Sequence, residues 1–237
     1  RVQFAVFPCG SVILEPSRLD NRQPLLFRRF RVRKDPRFTT QSFSDESLRR
    51  YFSEYCANLH EAVRQVSAEA FDAASQPMIE TRARGGRIFV AGNGGSAAIS
   101  EHLSCDWQKG VHLQGRPGLK VHCLTSNSAL LTAIANDRSY ADIFSFQLEL
   151  ADLSSEDLLV LISSSGDSEN GGQALEVALD RGGKVVGLSG FRGGRLKERA
   201  DVSLHVPFEN YGIVEDAHQT LMHVLAQYHD LKFRQGS

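Results

Sequence analysis

Cysteine is scarce in this chain. Its four cysteines (Cys9, Cys56, Cys105 and Cys123) are widely scattered along 237 residues and include no CxxC pair. That excludes a disulfide framework and points to reduced thiols in a chain with enough core to fold without staples. Long apolar runs are also missing: none approaches the roughly 20 residues that a membrane-spanning helix needs. Charge of one sign is not in excess, with 27 Lys and Arg against 28 Asp and Glu and a formal net charge of −1. The whole chain thus makes no electrostatic case for nucleic acid or an anionic membrane. What is present is ordinary for a globular protein: 41% hydrophobic and 23% charged residues in a length that suits one domain with some excess.

The charge is unevenly distributed. Residues 1–44 hold Arg1, Arg18, Arg22, Arg28, Arg29, Arg31, Arg33, Lys34 and Arg37 against only Glu15, Asp20 and Asp35. Prolines at 8, 16, 24 and 36 break the segment, which shows neither the helical nor the strand period. It is read as a basic extension, expected to be poorly ordered. A transit peptide or a nucleic-acid arm would look this way, but a fragment end or mis-assigned upstream coding is the preferred reading. The folded domain is expected at 45–237.

From Ser44 the pattern changes. Ser-Asp-Glu-Ser at 44–47 offers an N-cap with acids for a first helical turn. Leu48, Phe52, Tyr55, Leu59, Ala62, Val63 and Val66 then recur at steps of three and four, which predicts an amphipathic helix. A second helix, roughly 67–84, stops at Gly85-Gly86. Short apolar runs follow at Ile88–Ala91, Val121–Thr125, Leu158–Ile162, Val185–Leu188 and Val202–Val206, with helical patterns between them near 97–109, 127–136, 168–181 and 212–233. Apolar runs of this length separated by helices predict a doubly wound α/β fold: a five-stranded parallel sheet, buried on both faces, with two helices ahead of it.

In such a sheet, ligands bind beyond the carboxyl ends of the strands. Two polar turns fall there. Gly92-Asn93-Gly94-Gly95-Ser96 follows the first run and opens a helix, where backbone N–H groups can approach an anion. It matches neither GxGxxG nor the Walker pattern, which argues against a dinucleotide or a nucleoside triphosphate. Ser163-Ser164-Ser165-Gly166-Asp167-Ser168 follows the third run. One serine suffices to cap a helix, so four hydroxyls and a glycine are better explained as a donor cup for a phosphate ester. With no lysine beside it, the cup suits a monoester.

Gly92–Ser96 followed by His102, then Ser163–Ser168, then a last helix bearing His223, resembles the phosphoheptose isomerase branch of the sugar isomerase (SIS) fold in motif, order and spacing. Asn136-Asp137 followed by Asp142-Ile143-Phe144 resembles that family's active-site loop and the helix after it. The likeness covers roughly residues 45–233. It implies a flavodoxin-like SIS domain, a cytoplasmic homotetramer, and a zinc-dependent isomerase for sedoheptulose 7-phosphate or a related phosphorylated sugar, with no role for nucleic acid or membrane. Carried over position by position, it implies His102, Asp106, Glu215 and His223 as metal ligands, with Asp106 and His223 also catalytic. It further implies substrate contacts at Asn93, Gly94, Ser96, Asp137, Ser163, Ser164, Ser165 and Ser168.

The residue chemistry is compatible with that assignment. His102 and Asp106 stand one turn apart on one helix face. Glu215, His218, Gln219 and His223 are read as a polar stripe on the last helix, and nitrogen and carboxylate ligands from two helices can make a tetrahedral zinc site. His60, His112, His122, His205 and His229 are read as surface or packing residues. Two positions depart from the family: Asp106 stands where glutamate is usual, one methylene shorter, and Glu215 where glutamine is common. A misplacement of 1 Å can cost about a hundredfold in rate, and the paired change would also suit a sister group acting on another phosphosugar. A non-catalytic SIS protein that senses a phosphosugar or binds a replication initiator is the alternative from another class. A lyase or etherase acting on an amino-sugar phosphate is a third.

Overall fold

The computed structural model describes residues 43–44, 46–112 and 118–235. The basic extension expected at 1–44 therefore lies, apart from Phe43 and Ser44, outside the described residues. Strands β1 (Arg87–Gly92), β2 (Lys120–Cys123), β3 (Leu158–Ser163), β4 (Lys184–Ser189) and β5 (Val202–His205) form one parallel sheet in the order β2-β1-β3-β4-β5. All five coincide with the apolar runs, shifted by at most two residues at an end. The chain leaves β1 outward to β2 and returns to pair β3 on the other side of β1, with Ile88 opposite Leu158 and Gly92 opposite Ile162. The winding reverses between β1 and β3, which opens a crevice beyond their carboxyl ends.

Alternation along the strands sorts side chains into two cores. Ile88, Val90, Leu158, Val160, Ile162, Val186 and Leu188 face one side. There they meet helices α1 (Leu48–Arg64), α2 (Ala68–Arg84), α3 (Gly95–Cys105) and α8 (Tyr211–Arg234). Phe89, Ala91, Leu159, Leu161 and Val185 face the other side. That side is covered by α4 (Ser128–Asp137), α5 (Ser145–Leu150), α6 (Glu169–Asp180) and α7 (Gly194–Arg199). Burial on both faces explains why β1, β3 and β4 are apolar throughout rather than alternating. Leu159 is fully buried, and its truncation to Ala would cost about 2–5 kcal/mol.

The helix ends follow local chemistry. Ser47 caps α1 by accepting from the Arg50 N–H, so Glu46 precedes the first turn and, against expectation, no acid lies inside that turn. Ser67 and Asn210 cap α2 and α8 in the same way, and α2 closes at Gly85. The helix expected near 97–109 is α3 continued into one π-helical turn, Asp106–Gly110. Asp106 stays half-buried at the start of that turn while Trp107, the next residue, is completely buried. Single π turns of this kind recur where a side chain is re-aimed at a functional site. The three described cysteines, Cys56, Cys105 and Cys123, are free thiols.

Candidate active site

The two polar turns stand side by side at the β1/β3 crevice, each at the start of a helix. Asn93 and Asn170 lock them together. Each amide nitrogen donates to the other's oxygen, at 2.8 and 3.0 Å, and the Tyr140 hydroxyl also donates to Asn93 Oδ1 at 3.0 Å. Asn170 is buried in the first turn of α6, so this pair fixes the spacing of the two helix N-termini. A narrow cleft between the turns is lined by Asn93, Phe144, Ser163, Gly166, Ser168 and Gly171.

In the serine turn, Ser163 Oγ accepts from the Gly166 N–H and Ser165 Oγ from the Asp167 N–H, at 3.1 and 3.3 Å. Ser168 is the N-cap of α6, yet its hydroxyl makes no capping bond, and the buried Ser164 hydroxyl has no partner. Hydroxyls left over from capping are donors available to an anion. The turn is held from behind by the loop before α7 and by the start of α7 itself. Gly190 N–H donates to Ser164 O, Leu196 N–H to Gly166 O and Arg195 N–H to Asp167 Oδ1, at 2.9, 3.1 and 2.8 Å. Ser96 is buried in the first turn of α3, and Gly94 immediately precedes that helix as its N-cap. Asp137 closes α4, exposed and hydrogen-bonded to its neighbour Asn136. Among the described residues no hydrogen bond ties Asp137 to either turn.

Helices α3 and α8 run alongside each other in the same sense. Three contacts mark the pairing: Glu215 beside Gly95, Gln219 beside His102, and His223 beside Asp106. At the far end His102, Asp106 and His223 each offer one ligand atom, all within 4.8 Å of one another. His102 Nε2 is 3.6 Å from Asp106 Oδ1 and His223 Nε2 is 3.7 Å from Asp106 Oδ2. Those distances exceed hydrogen bonds, so the three point at a shared space and do not bond one another. The two rings meet edge to face with centroids 4.9 Å apart.

Glu215 is not one of the three. It lies about two helical turns before His223, with its carboxyl against Gly95 at the start of α3. Burial, and then the neighbouring Asp216 charge, push its pKa above the ordinary carboxylate value. Asp216 in turn accepts from the Tyr55 hydroxyl at 2.6 Å. Burial first and then that hydrogen bond hold the phenol well above its usual range.

The SIS domain family matches residues 50–190. Phosphoheptose isomerase from Aliarcobacter butzleri is 38% identical over 71% of this chain and 88% of its own length. The chain belongs to the phosphoheptose isomerase family. The structure of phosphoheptose isomerase from Neisseria gonorrhoeae superposes with a TM-score of 0.71 at 28% identity, over 78% of this chain and 99% of that one. The Francisella tularensis enzyme gives 0.70 at 31% identity, over 76% and 95%.

Within this phosphoheptose isomerase fold, sequence reasoning misplaced one histidine and passed over three other residues. His218 does not belong to the polar stripe of α8. It is completely buried, with Nε2 at 3.1 Å from Ser189 O, because it falls on the helix face of Val214, Leu221 and Leu225. Burial lowers its pKa to about 4. Tyr140 and Asn170 carried no motif that singled them out. Gln219 stood in the stripe without a role, although its place one turn from both Glu215 and His223 was a usable signal.

Proposed function

We propose that this chain is a sugar-phosphate aldose–ketose isomerase that interconverts sedoheptulose 7-phosphate and D-glycero-D-manno-heptose 7-phosphate or a close relative. One observation carries the reading: the convergence of His102, Asp106 and His223 from two helices onto one space. Family membership supplies the substrate class, and the two turns supply a cradle for its phosphate.

Two imidazole nitrogens and a carboxylate oxygen are a donor set that suits zinc with one position left for substrate, so these residues fit the ion. Zinc held by His102, Asp106 and His223 would polarise the sugar carbonyl and its neighbouring hydroxyl. The chain's own groups account for the proton movements. The Asp106 carboxylate takes the proton from the hydroxyl-bearing carbon, and that C–H electron pair becomes the double bond of an enediol. With Nε2 of His223 turned to the zinc space, its Nδ1–H would give a proton to the former carbonyl oxygen and then take one from the adjacent hydroxyl. Asp106 then returns its proton to the neighbouring carbon. Ser163, Ser164, Ser165 and Ser168, with the N-terminus of α6, hold the phosphate, and that remote binding energy positions the sugar. Asn93, Gly94 and Ser96 lie at the sugar end, with Asp137 at the edge of the site. In this reading Glu215 is not a ligand. Its carboxyl at Gly95 would accept a hydrogen bond from a sugar hydroxyl.

The test is incubation of the protein with sedoheptulose 7-phosphate, with and without added zinc, following aldose formation by NMR. Zinc-dependent turnover that falls by about 10²–10⁴ in Asp106→Asn and in His223→Ala is the expected result. Phosphosugar binding with neither turnover nor metal retention would replace the isomerase with a sensor.

The reading extends to a homotetramer in the cytoplasm. Among the described residues no helix is long and apolar enough to cross a membrane, and the described thiols are free. Leu48 and Phe52 on α1 are 84% and 65% exposed, and Val224, Tyr228 and Leu231 lie exposed on α8. Those two helices pack on each other, so a partner subunit docked there would cover exposed apolar side chains from both. Sedimentation equilibrium should return four chains, and a monomer at micromolar concentration would refute the assembly.

A further inference from the structure

The centre of the α3–α8 seam is occupied by an amide. Gln219 follows Glu215 by four residues and precedes His223 by four, so the three side chains lie on one face of α8. Gln219 Nε2 is 2.9 Å from His102 Nδ1 and 3.2 Å from His223 Nε2. Among the described residues it is the one side chain within hydrogen-bonding distance of either imidazole.

An amide nitrogen has two hydrogens to give, and each must meet a bare ring nitrogen. With both given, His102 carries its proton on Nε2, facing Asp106, and His223 carries its own on Nδ1. To ligate through Nε2, His102 must move its proton to Nδ1. The same side chain meets that demand by turning its amide over, so that Oε1 accepts from Nδ1–H in place of the earlier bond. The contact to His223 Nε2 is then the one that a cation replaces. Leucine could serve neither arrangement, and a carboxylate only the second.

Orientation is the other half of the matter. His102 is about half exposed, and an exposed imidazole on a helix is free to turn about its side-chain bonds. Fixing Nδ1 aims Nε2 across the ring toward the shared space beside Asp106. Ligating histidines generally give their second ring nitrogen to such a partner, and losing that partner typically weakens metal binding about 10–100-fold.

We propose that Gln219 is a positioning residue that sets the tautomer and aim of His102 and tethers His223 beside it until a cation is bound. The metal half of this rests on the zinc reading above; the tautomer half does not. The experiment compares wild type, Gln219→Leu and Gln219→Glu. Zinc affinity is measured by chelator competition, and the tautomers of His102 and His223 by long-range nitrogen–proton NMR near pH 8, where free imidazole is neutral. In the zinc-free wild type, His102 should carry its proton on Nε2. In Gln219→Glu it should carry it on Nδ1, and in Gln219→Leu the two forms should mix. Gln219→Leu should lose about 10–100-fold in zinc affinity while Gln219→Glu keeps or exceeds that of wild type.

Unchanged tautomers in both variants, with zinc bound as in wild type, would overturn the proposal and leave Gln219 as packing. If wild type itself retains no zinc, the metal reading fails and the tautomers alone decide: a switch in Gln219→Glu upholds the positioning role, and no switch ends it. Gln219 is only half-buried, and circular dichroism of each variant, including Gln219→Met as a second apolar replacement, separates misfolding from loss of aim.

Discussion

A Cβ added to Gly95 would lie 2.3 Å from Glu215 Oε2, so the start of α3 and this carboxyl on α8 fit together only because residue 95 has no side chain. The obstacle is the far end of a flexible side chain, which can swing away. Gly95→Ala should therefore alter thermal stability by less than about 1 kcal/mol while displacing Glu215 from the sugar end of the site. Steady-state kinetics should show KM for the phosphosugar raised several-fold. An unchanged KM would mean that Glu215 does not touch the sugar.

Glu215 also sets a pH dependence. Its folded pKa is raised by burial and then by Asp216, so the native state holds this proton more tightly than the unfolded chain. Stability from this group is present below the ordinary carboxylate value of 4.5 and is lost as pH rises through the folded value. Glu215→Gln removes that loss. Metal-free thermal scans should show the variant more stable than wild type at neutral pH, with the gain shrinking as pH falls toward about 4.

His218 and His229 pull the other way. Burial lowers both to about 4 from 6.5. They are neutral in the fold, His218 against Ser189 O and His229 against Ser75 Oγ. Their contribution is complete above 6.5 and is lost as pH falls toward 4. For His218, completely buried, it is on the order of 3 kcal/mol. Urea unfolding between about pH 7.5 and about pH 5 should lose stability steeply in wild type and less so in His218→Gln, which keeps a donor for Ser189 O.

Gly166 tests the phosphate cradle. Its φ is +72°, and a Cβ there would fall 1.9 Å from Gly193 O, a backbone atom that cannot step aside. Gly166→Ala should cost at least about 1–3 kcal/mol and push the serine turn off the loop that holds it. Isothermal titration with inorganic phosphate should show weakened binding. Wild-type affinity in a folded variant would move the phosphate site elsewhere.

The fold was legible because each strand had to be apolar on both faces and each long helix on one. Runs such as Leu158–Ile162 and the steps from Leu48 to Val66 state those demands directly. The six-residue helices α5 and α7 are too short to display a period, though the family resemblance pointed to a helix after Asp142. The π turn that starts at Asp106 carries Trp107, whose fully buried place in the core is made only by the tertiary structure. His218 was misread from its polarity, whereas its position, four residues from both Val214 and Met222, put it on the buried face. The motifs named His102, Asp106 and His223, which the fold brings together. Their spacing could not say that Glu215 would sit at Gly95, or that the seam between the helices would be bridged by Gln219.

The SIS domain match ends at residue 190, and α8 begins at Tyr211. The serine turn and its neighbour after β1 lie inside the shared unit, while His223, Gln219 and Glu215 lie beyond it. In the proposed reading, phosphate capture is thus written wholly inside the shared unit, while the reacting end is divided, with His102 and Asp106 inside that unit and His223 on the helix beyond it. A lineage could exchange the terminal helix, or retune a few of its residues, and inherit a different chemistry on an unaltered handle for phosphorylated sugars.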